Sequence, residues 1–176
     1  MLNRTAILRA LTTELDRAQR EKRTVVVALV DLDHFKNAND AFGHMAGDEA
    51  LCKFASAVGD AIRPYDHAGR YGGEEFLLVL TEVPREAVEQ RLVHLHTAIS
   101  NLQVSWHGGQ FQINCSMGAT VFDPFNGPEA VESLLAIVDQ ALYAAKAEGR
   151  NRVIFYAAAR SDADSGSQRG GRSTTI

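Results

Sequence analysis

The run Thr24-Val25-Val26-Val27-Ala28-Leu29-Val30 constrains this chain more than any other stretch. It is short, rich in β-branched residues and uninterrupted by a polar residue from Val25 to Val30, so it predicts a strand buried on both faces. Such a strand needs helices above and below it, which implies a sheet inside an α/β arrangement. At its end stands Asp31-Leu32-Asp33, and the period of two along a strand points both carboxylates the same way. Strand ends in such sheets are favoured ligand sites, because side chains emerge at the rim over a rigid scaffold. A solvated strand end or a helix cap is the other reading of one acidic pair.

The remaining pattern supplies the covering layers. Residues 4–22 place Ile7, Leu8, Leu11 and Leu15 at helical spacing. FKNANDAFGH predicts a short helix ended by Gly43, and GDEALCKFASAVGDAIR a second one with Asp48 near its start. HAGRY and EEFLLVL flank Gly72-Gly73 as two antiparallel strands joined by a tight turn. Pro84 opens a helical pattern running to about Ile99, and LQVSWH with QFQINCSMGATVF forms a hairpin around Gly108-Gly109. A long helix ending at Gly149 and a short strand RVIFY follow.

Residues 159–176, SDADSGSQRGGRSTTI in their body, carry almost nothing apolar to bury and predict a disordered tail after a single domain over 1–158. The formal net charge of −4 offers no general attraction to nucleic acid or to an anionic membrane surface. With no apolar run near the ~20 residues that span a bilayer and no signal-peptide pattern, a cytoplasmic location without direct membrane contact is expected. Cys52 and Cys115 lie apart in apolar surroundings and are expected to be buried free thiols.

A second acidic pair, Glu74-Glu75, sits at the mouth of a buried strand in RYGGEEFLLVL. Paired acids beside apolar strands repel one another and lose hydration unless a cation neutralises them, and hard oxygen ligands suit magnesium or manganese. Glycines at 72 and 73 let backbone approach a ligand closely. Lys36, three residues beyond Asp33, and the pair Lys146 and Arg150, four apart on the last helix and so on one face, offer charge for a polyphosphate. Taken alone, Lys and Arg at a helix end equally well just complement its dipole.

GGEEF at 72–76, DLDHFKNANDAFGHMAGDEAL at 31–51 and ALYAAKAEGRNRV at 141–153 closely resemble the GGDEF family of diguanylate cyclases. The likeness runs from Leu2 to about Tyr156, and three ordered blocks with intact spacing are far more specific than a lone glycine turn. It implies an α/β (α+β) fold with a central mixed, mainly antiparallel five-stranded sheet surrounded by helices, similar to class III nucleotide cyclase catalytic domains and polymerase palms. It also implies condensation of two GTP into cyclic di-GMP with loss of two pyrophosphates, between two protomers that face each other. The resemblance assigns two divalent cations, Mg2+ or Mn2+, to Asp31, the Leu32 carbonyl, Glu74 and Glu75. Lys36, Lys146 and Arg150 would hold the triphosphate, Asn39 and Asp48 would read the guanine edge, and Phe35, Gly72 and Gly73 would line the substrate. Asp48 serves equally as a helix N-cap.

Arg63-Pro64-Tyr65-Asp66 stands four residues before Arg70, in the register of the family's RxxD product-inhibition site. An arginine from the following helix, Arg85 or Arg91, would complete it. The family pattern commonly opens with a DxLTGLxNR segment, of which Leu2-Asn3-Arg4 is present here. Two alternatives stand beside the cyclase reading: from a different class, a catalytically silent domain that binds cyclic di-GMP or GTP as a receptor, and, second, a relative that uses ATP to make a mixed cyclic dinucleotide. Intact carboxylates and glycines favour the enzyme over the first, and Asp48 favours GTP over the second.

Overall fold

A computed structural model describes residues 1–126, 130–157 and 173–175. Helix α1 (Arg4–Glu21) leads into strand β1 (Val25–Asp33), followed by α2 (Phe35–Phe42) and α3 (His44–Ala61). Strands β2 (His67–Arg70) and β3 (Glu75–Thr81) come next, then a 3-10 turn (Arg85–Ala87) and α4 (Val88–Ile99). The hairpin β4 (Leu102–Trp106) and β5 (Gly109–Phe122), helix α5 (Val131–Ala147), β6 (Val153–Tyr156) and β7 (Ser173–Thr175) complete the described chain.

Strands run in the order β2-β3-β1-β5-β6-β7, with β4 paired to β5 off this path. Among the described strands β5 and β6 pair in parallel and the others antiparallel, with one isolated parallel bridge between Leu2 and Gly69. The mixed, mainly antiparallel sheet matches the expected α/β fold, but it holds seven strands among the described residues where five were expected. Ser173–Thr175 differ from the expected tail, since they add a strand along β6 through Ile154↔Thr175 and Tyr156↔Ser173. The rest of that expectation, residues 159–172 and 176, lies outside the described residues.

The apolar run explains the layers. Val25, Val27 and Leu29 pack on one face of β1 with Ile7, Leu11 and Leu15 of α1 and Leu134, Val138 and Leu142 of α5. Val26, Ala28, Val30 and Leu32 face the opposite core, with Phe54 and Val58 of α3 and Leu92, Leu95 and Ile99 of α4. Alternate residues of one strand thereby feed two cores, so every position from Val25 to Val30 must be apolar. Strand β5 shows the half-buried alternation expected over Phe111–Cys115 but is buried on both faces from Cys115 to Phe122. There it lies between β1 and β6 under α5.

Several boundaries move for identifiable reasons. Asn3 caps α1, its side chain accepting from the Ala6 amide at 2.9 Å. Gly43, at φ 87, ends α2 and starts α3 without a break, so α3 begins at His44. Asp48 is therefore a second-turn residue, and the N-cap reading of it is set aside. Among the described residues no helix is long and apolar enough to cross a membrane.

The two cysteines separate. Cys115 is buried, and burial pushes its thiol pKa up to about 12, whereas Cys52 is exposed on α3 against expectation. The helical stripe Leu51, Phe54 and Val58 turns inward and leaves position 52 outside. A thiol reagent is expected to modify one cysteine quickly in the native protein and both after denaturation. Two fast equivalents in the native state would contradict this packing.

Candidate active site

Strand β1 delivers Asp31 to the sheet rim between two neighbours, opposite Glu75 on β3 and Ser116 on β5. Directly opposed residues on neighbouring strands share a face, so Asp31 and Glu75 lie on the side covered by α1 and α5. Glu74 is the last residue of the turn before β3, and its carbonyl accepts from the Leu32 amide at 3.3 Å. Three carboxylates are thus gathered at one end of adjacent strands.

The turn itself is tightly built. The amides of Tyr71 and Gly72 both donate to the Glu75 carbonyl, at 2.8 and 3.2 Å. Arg70 donates to the Gly73 carbonyl from Nε at 2.9 Å and from a terminal nitrogen at 2.6 Å. A Cβ at position 72 would lie 2.3 Å from Glu75 Oε2, so a side chain there would displace that carboxylate from its present position. Arg70 as a brace of the turn was not legible in the sequence, because a strand-end arginine carries no local signal.

Positive charge comes from the opposite side of the rim. Lys146, in the last turn of α5, places Nζ 2.9 Å from Asp31 Oδ2. Asp31 is buried, and burial raises its pKa against the counteracting hydrogen bond and charge of Lys146; Asp33 raises it further and Arg150 lowers it. Burial likewise raises Glu74, with Asp31 and Glu75 adding to it and Lys146 opposing. Arg150 does not share a helical face with Lys146 as expected. The helix stops at Ala147, Gly149 turns the chain at φ 115, and Arg150 follows with left-handed backbone. The i, i+4 relation holds only while the helix continues.

Asp33, which the residue pattern paired with Asp31, is engaged otherwise. Ser116 Oγ donates to its Oδ1 at 2.7 Å and the Asn151 amide to its Oδ2 at 2.9 Å.

The residues of α2 and α3 form a second group. Lys36 is exposed in the first turn of α2, and Phe35 is buried beneath it. A Cβ at Gly47 would sit 2.0 Å from Asn39 Oδ1 and 3.1 Å from Phe35 Cζ, so this helical glycine lets Asn39 lie against α3 beside exposed Asp48. Gly47 was missed as a positioning residue, although a glycine inside a helical pattern is a readable signal. Asp48 and Arg70 share an open cavity of about 430 Å³ with Met1, Leu2, Leu51 and Phe76.

Asp66 and its arginines lie elsewhere. The Thr81 amide donates to Asp66 Oδ1 at 3.0 Å, at the far end of β3 from Glu75. Six strand steps separate the two ends, roughly 20 Å at the usual rise. Asp66 Oδ2 accepts from the Arg63 amide at 2.9 Å and from Arg91 at 3.3 Å. Arg85 instead pairs with Asp123, so of these two arginines Arg91 is the one in contact with Asp66. Asp66 is buried, so its carboxylate serves the loop, while the Arg63 side chain reaches out over the Tyr65 ring.

Among the described residues no group of three or more His, Cys, Asp or Glu side chains is arranged to hold a metal ion by itself. The donor set still fits a hard divalent cation. Carboxylates whose ionised forms are disfavoured by burial and mutual repulsion lack positive charge, and Mg2+ characteristically takes few protein oxygens and completes its shell with water and substrate phosphates. An acidic turn with a lysine and an arginine at one sheet rim is a candidate site for an anionic, cation-bound ligand.

Comparison with known proteins places that class of domain more narrowly. Residues 1–152 match the family described as diguanylate cyclase, GGDEF domain. The chain belongs to this family. It is 40% identical over 151 residues to diguanylate cyclase DgcP of Pseudomonas aeruginosa, covering 86% of this chain and 22% of that protein. Diguanylate cyclase DosC of Escherichia coli is 35% identical over 159 residues, covering 90% of this chain and 34% of that protein. The chain therefore spans about a fifth to a third of the length of these relatives. The crystal structure of the GGDEF domain of DgcB from Caulobacter crescentus in complex with c-di-GMP superimposes with a TM-score of 0.77 at 32% identity. That match covers 86% of this chain and 88% of the other.

Proposed function

We propose that this domain is a diguanylate cyclase that condenses two GTP into cyclic di-GMP and two pyrophosphates between two facing protomers. The observation that carries this reading is the convergence of Asp31, Glu74 and Glu75 with Lys146 at one sheet rim. Family membership and relatives named diguanylate cyclase support it.

In this reading Asp31, Glu74, Glu75 and the Leu32 carbonyl hold two divalent cations, Mg2+ or Mn2+. Bound there, the cations supply a lowered hydroxyl pKa and neutralise charge on the phosphoryl and leaving oxygens. Lys146, Arg150 and Lys36 orient the triphosphate, so that each 3′-hydroxyl attacks the α-phosphorus of the other nucleotide and pyrophosphate leaves. Glu75 is assigned either help in deprotonating the hydroxyl or a purely metal-bound role. Asn39 and Asp48 read guanine: a carboxylate accepts from N1–H and the exocyclic amine, a pair of donors adenine does not present. Phe35, Gly72 and Gly73 complete the substrate surface. The direct test is incubation with Mg2+ and either GTP or ATP. Cyclic di-GMP from GTP and no cyclic product from ATP is expected, and equal turnover of both would overturn the base reading.

Product inhibition is assigned to Arg63, Asp66 and Arg91, the buried Asp66 also tying the Arg63 loop to Arg91 of α4. Arg63→Ala is expected to weaken cyclic di-GMP binding about tenfold without changing the melting temperature, consistent with loss of one charge-assisted contact. Asp66→Ala is expected to destabilise the fold by about 2 kcal/mol, because it leaves the buried Thr81 amide without its acceptor. Calorimetric titration and thermal melts separate the two effects. Unchanged product affinity in Arg63→Ala would remove this site.

A further inference from the structure

We propose that Asp33 is a positioning residue that holds the Arg150 turn against the sheet rim, acting on the triphosphate only through Arg150. This inference rests on the proposed cyclase reading, since it assigns Arg150 the substrate phosphates.

The turn after α5 is unusual in its backbone. Gly149, Arg150 and Asn151 have φ of 115, 63 and 46°, so two consecutive non-glycine residues occupy left-handed space. Such residues persist only where the surroundings fix them. Four contacts do so. The Arg150 amide donates to the Ala145 carbonyl at 2.9 Å, and Met117 of β5 donates to the Arg152 carbonyl at 2.9 Å. Arg152 Nε donates to the Arg150 carbonyl at 3.1 Å. The fourth contact alone reaches the turn from β1, the Asn151 amide to Asp33 Oδ2 at 2.9 Å, spanning 118 residues of sequence.

Asp33 is itself aimed from its other oxygen, where Ser116 donates at 2.7 Å. Ser116 is fully buried and is the strand partner of Asp31. The chain Ser116, Asp33, Asn151 therefore links the strand bearing the acidic site to the backbone next to Arg150. Arg150 is exposed, yet its charge acts on Asp31. A flexible side chain on an unbraced turn would sample many positions, whereas a fixed Cα restricts where the guanidinium can reach. Both carboxylate oxygens of Asp33 thus accept a hydrogen bond that fixes the side chain between β5 and the turn.

The test is a double-mutant cycle read by binding. The probe is a GTP analogue with a non-cleavable α–β bridge, titrated calorimetrically with Mg2+ into the chain and into Asp33→Ala, Arg150→Ala and the double variant. Asp33→Ala and Arg150→Ala are each expected to weaken binding about tenfold, and the double variant is expected to match Arg150→Ala alone. Asp33→Asn should recover most of the loss, because its amide oxygen still accepts from Asn151. If Asp33→Ala does not fold, Ser116→Ala replaces it in the cycle, with an expected loss of about threefold that also vanishes beside Arg150→Ala. Losses that multiply in the double variant would overturn the inference while leaving the cyclase reading intact. Failure of the unsubstituted chain to bind the analogue would overturn both.

Discussion

Glu74→Ala is expected to lower cyclic di-GMP formation by roughly 10²-fold or more, the scale on which removal of one preorganised electrostatic partner acts. The same substitution is expected to keep the melting temperature or raise it. Burial, Asp31 and Glu75 all disfavour the ionised Glu74 side chain, so truncating it relieves repulsion in the free protein. Opposite effects on activity and stability mark a residue kept for function at a cost to the fold. Pyrophosphate release with Mg2+ and GTP, run beside a thermal melt, reads both. Unchanged turnover would remove Glu74 from the site, and a collapsed melting temperature would make it a structural residue.

Gly118→Ala carries the largest expected effect on the fold. A Cβ at this position of β5 would lie 2.1 Å from the Leu142 amide nitrogen and 2.3 Å from the Val138 carbonyl oxygen of α5. Both are backbone atoms that cannot rotate away, so the helix must shift off the sheet. Overpacking of this kind costs about 3 kcal/mol, which corresponds to a melting temperature lower by roughly 10 °C for a chain of this size. Activity should fall further than stability alone explains, because Lys146 stands one turn beyond Leu142 and would be carried away from Asp31. A melting temperature within about 2 °C of the parent would contradict the close seating of α5, being less than 1 kcal/mol.

The elements were legible where their signals are local. The apolar run of β1, the glycine turn before β3 and the stripes of α1, α4 and α5 each announce themselves within a dozen residues. The glycine at 118 did not, since its reason is the backbone of a helix that follows in the sequence and packs back over the strand. Similarly, the pattern Arg63-x-x-Asp66 gave no sign that Asp66 would be buried under Thr81 and Arg91, a contact made across the β2–β3 hairpin and α4. Lys146 and Arg150 looked like one helical face from their spacing of four, although the same pattern ends the helix at Gly149; α5 stops at Ala147, so Arg150 lies beyond it. Asp33 was noticed beside Asp31, but its tie to Asn151 depends on how β1 and the end of α5 meet.

The two-domain condensation itself is tested most directly by following cyclic di-GMP and pyrophosphate from GTP and Mg2+ over a dilution series of the protein. One cyclic di-GMP should form for every two pyrophosphates, and the rate per protomer should rise with protein concentration until the facing pair is saturated. Absence of cyclic di-GMP at high protein concentration would contradict the cyclase reading. A rate per protomer that stays constant on dilution would contradict the requirement for two facing domains.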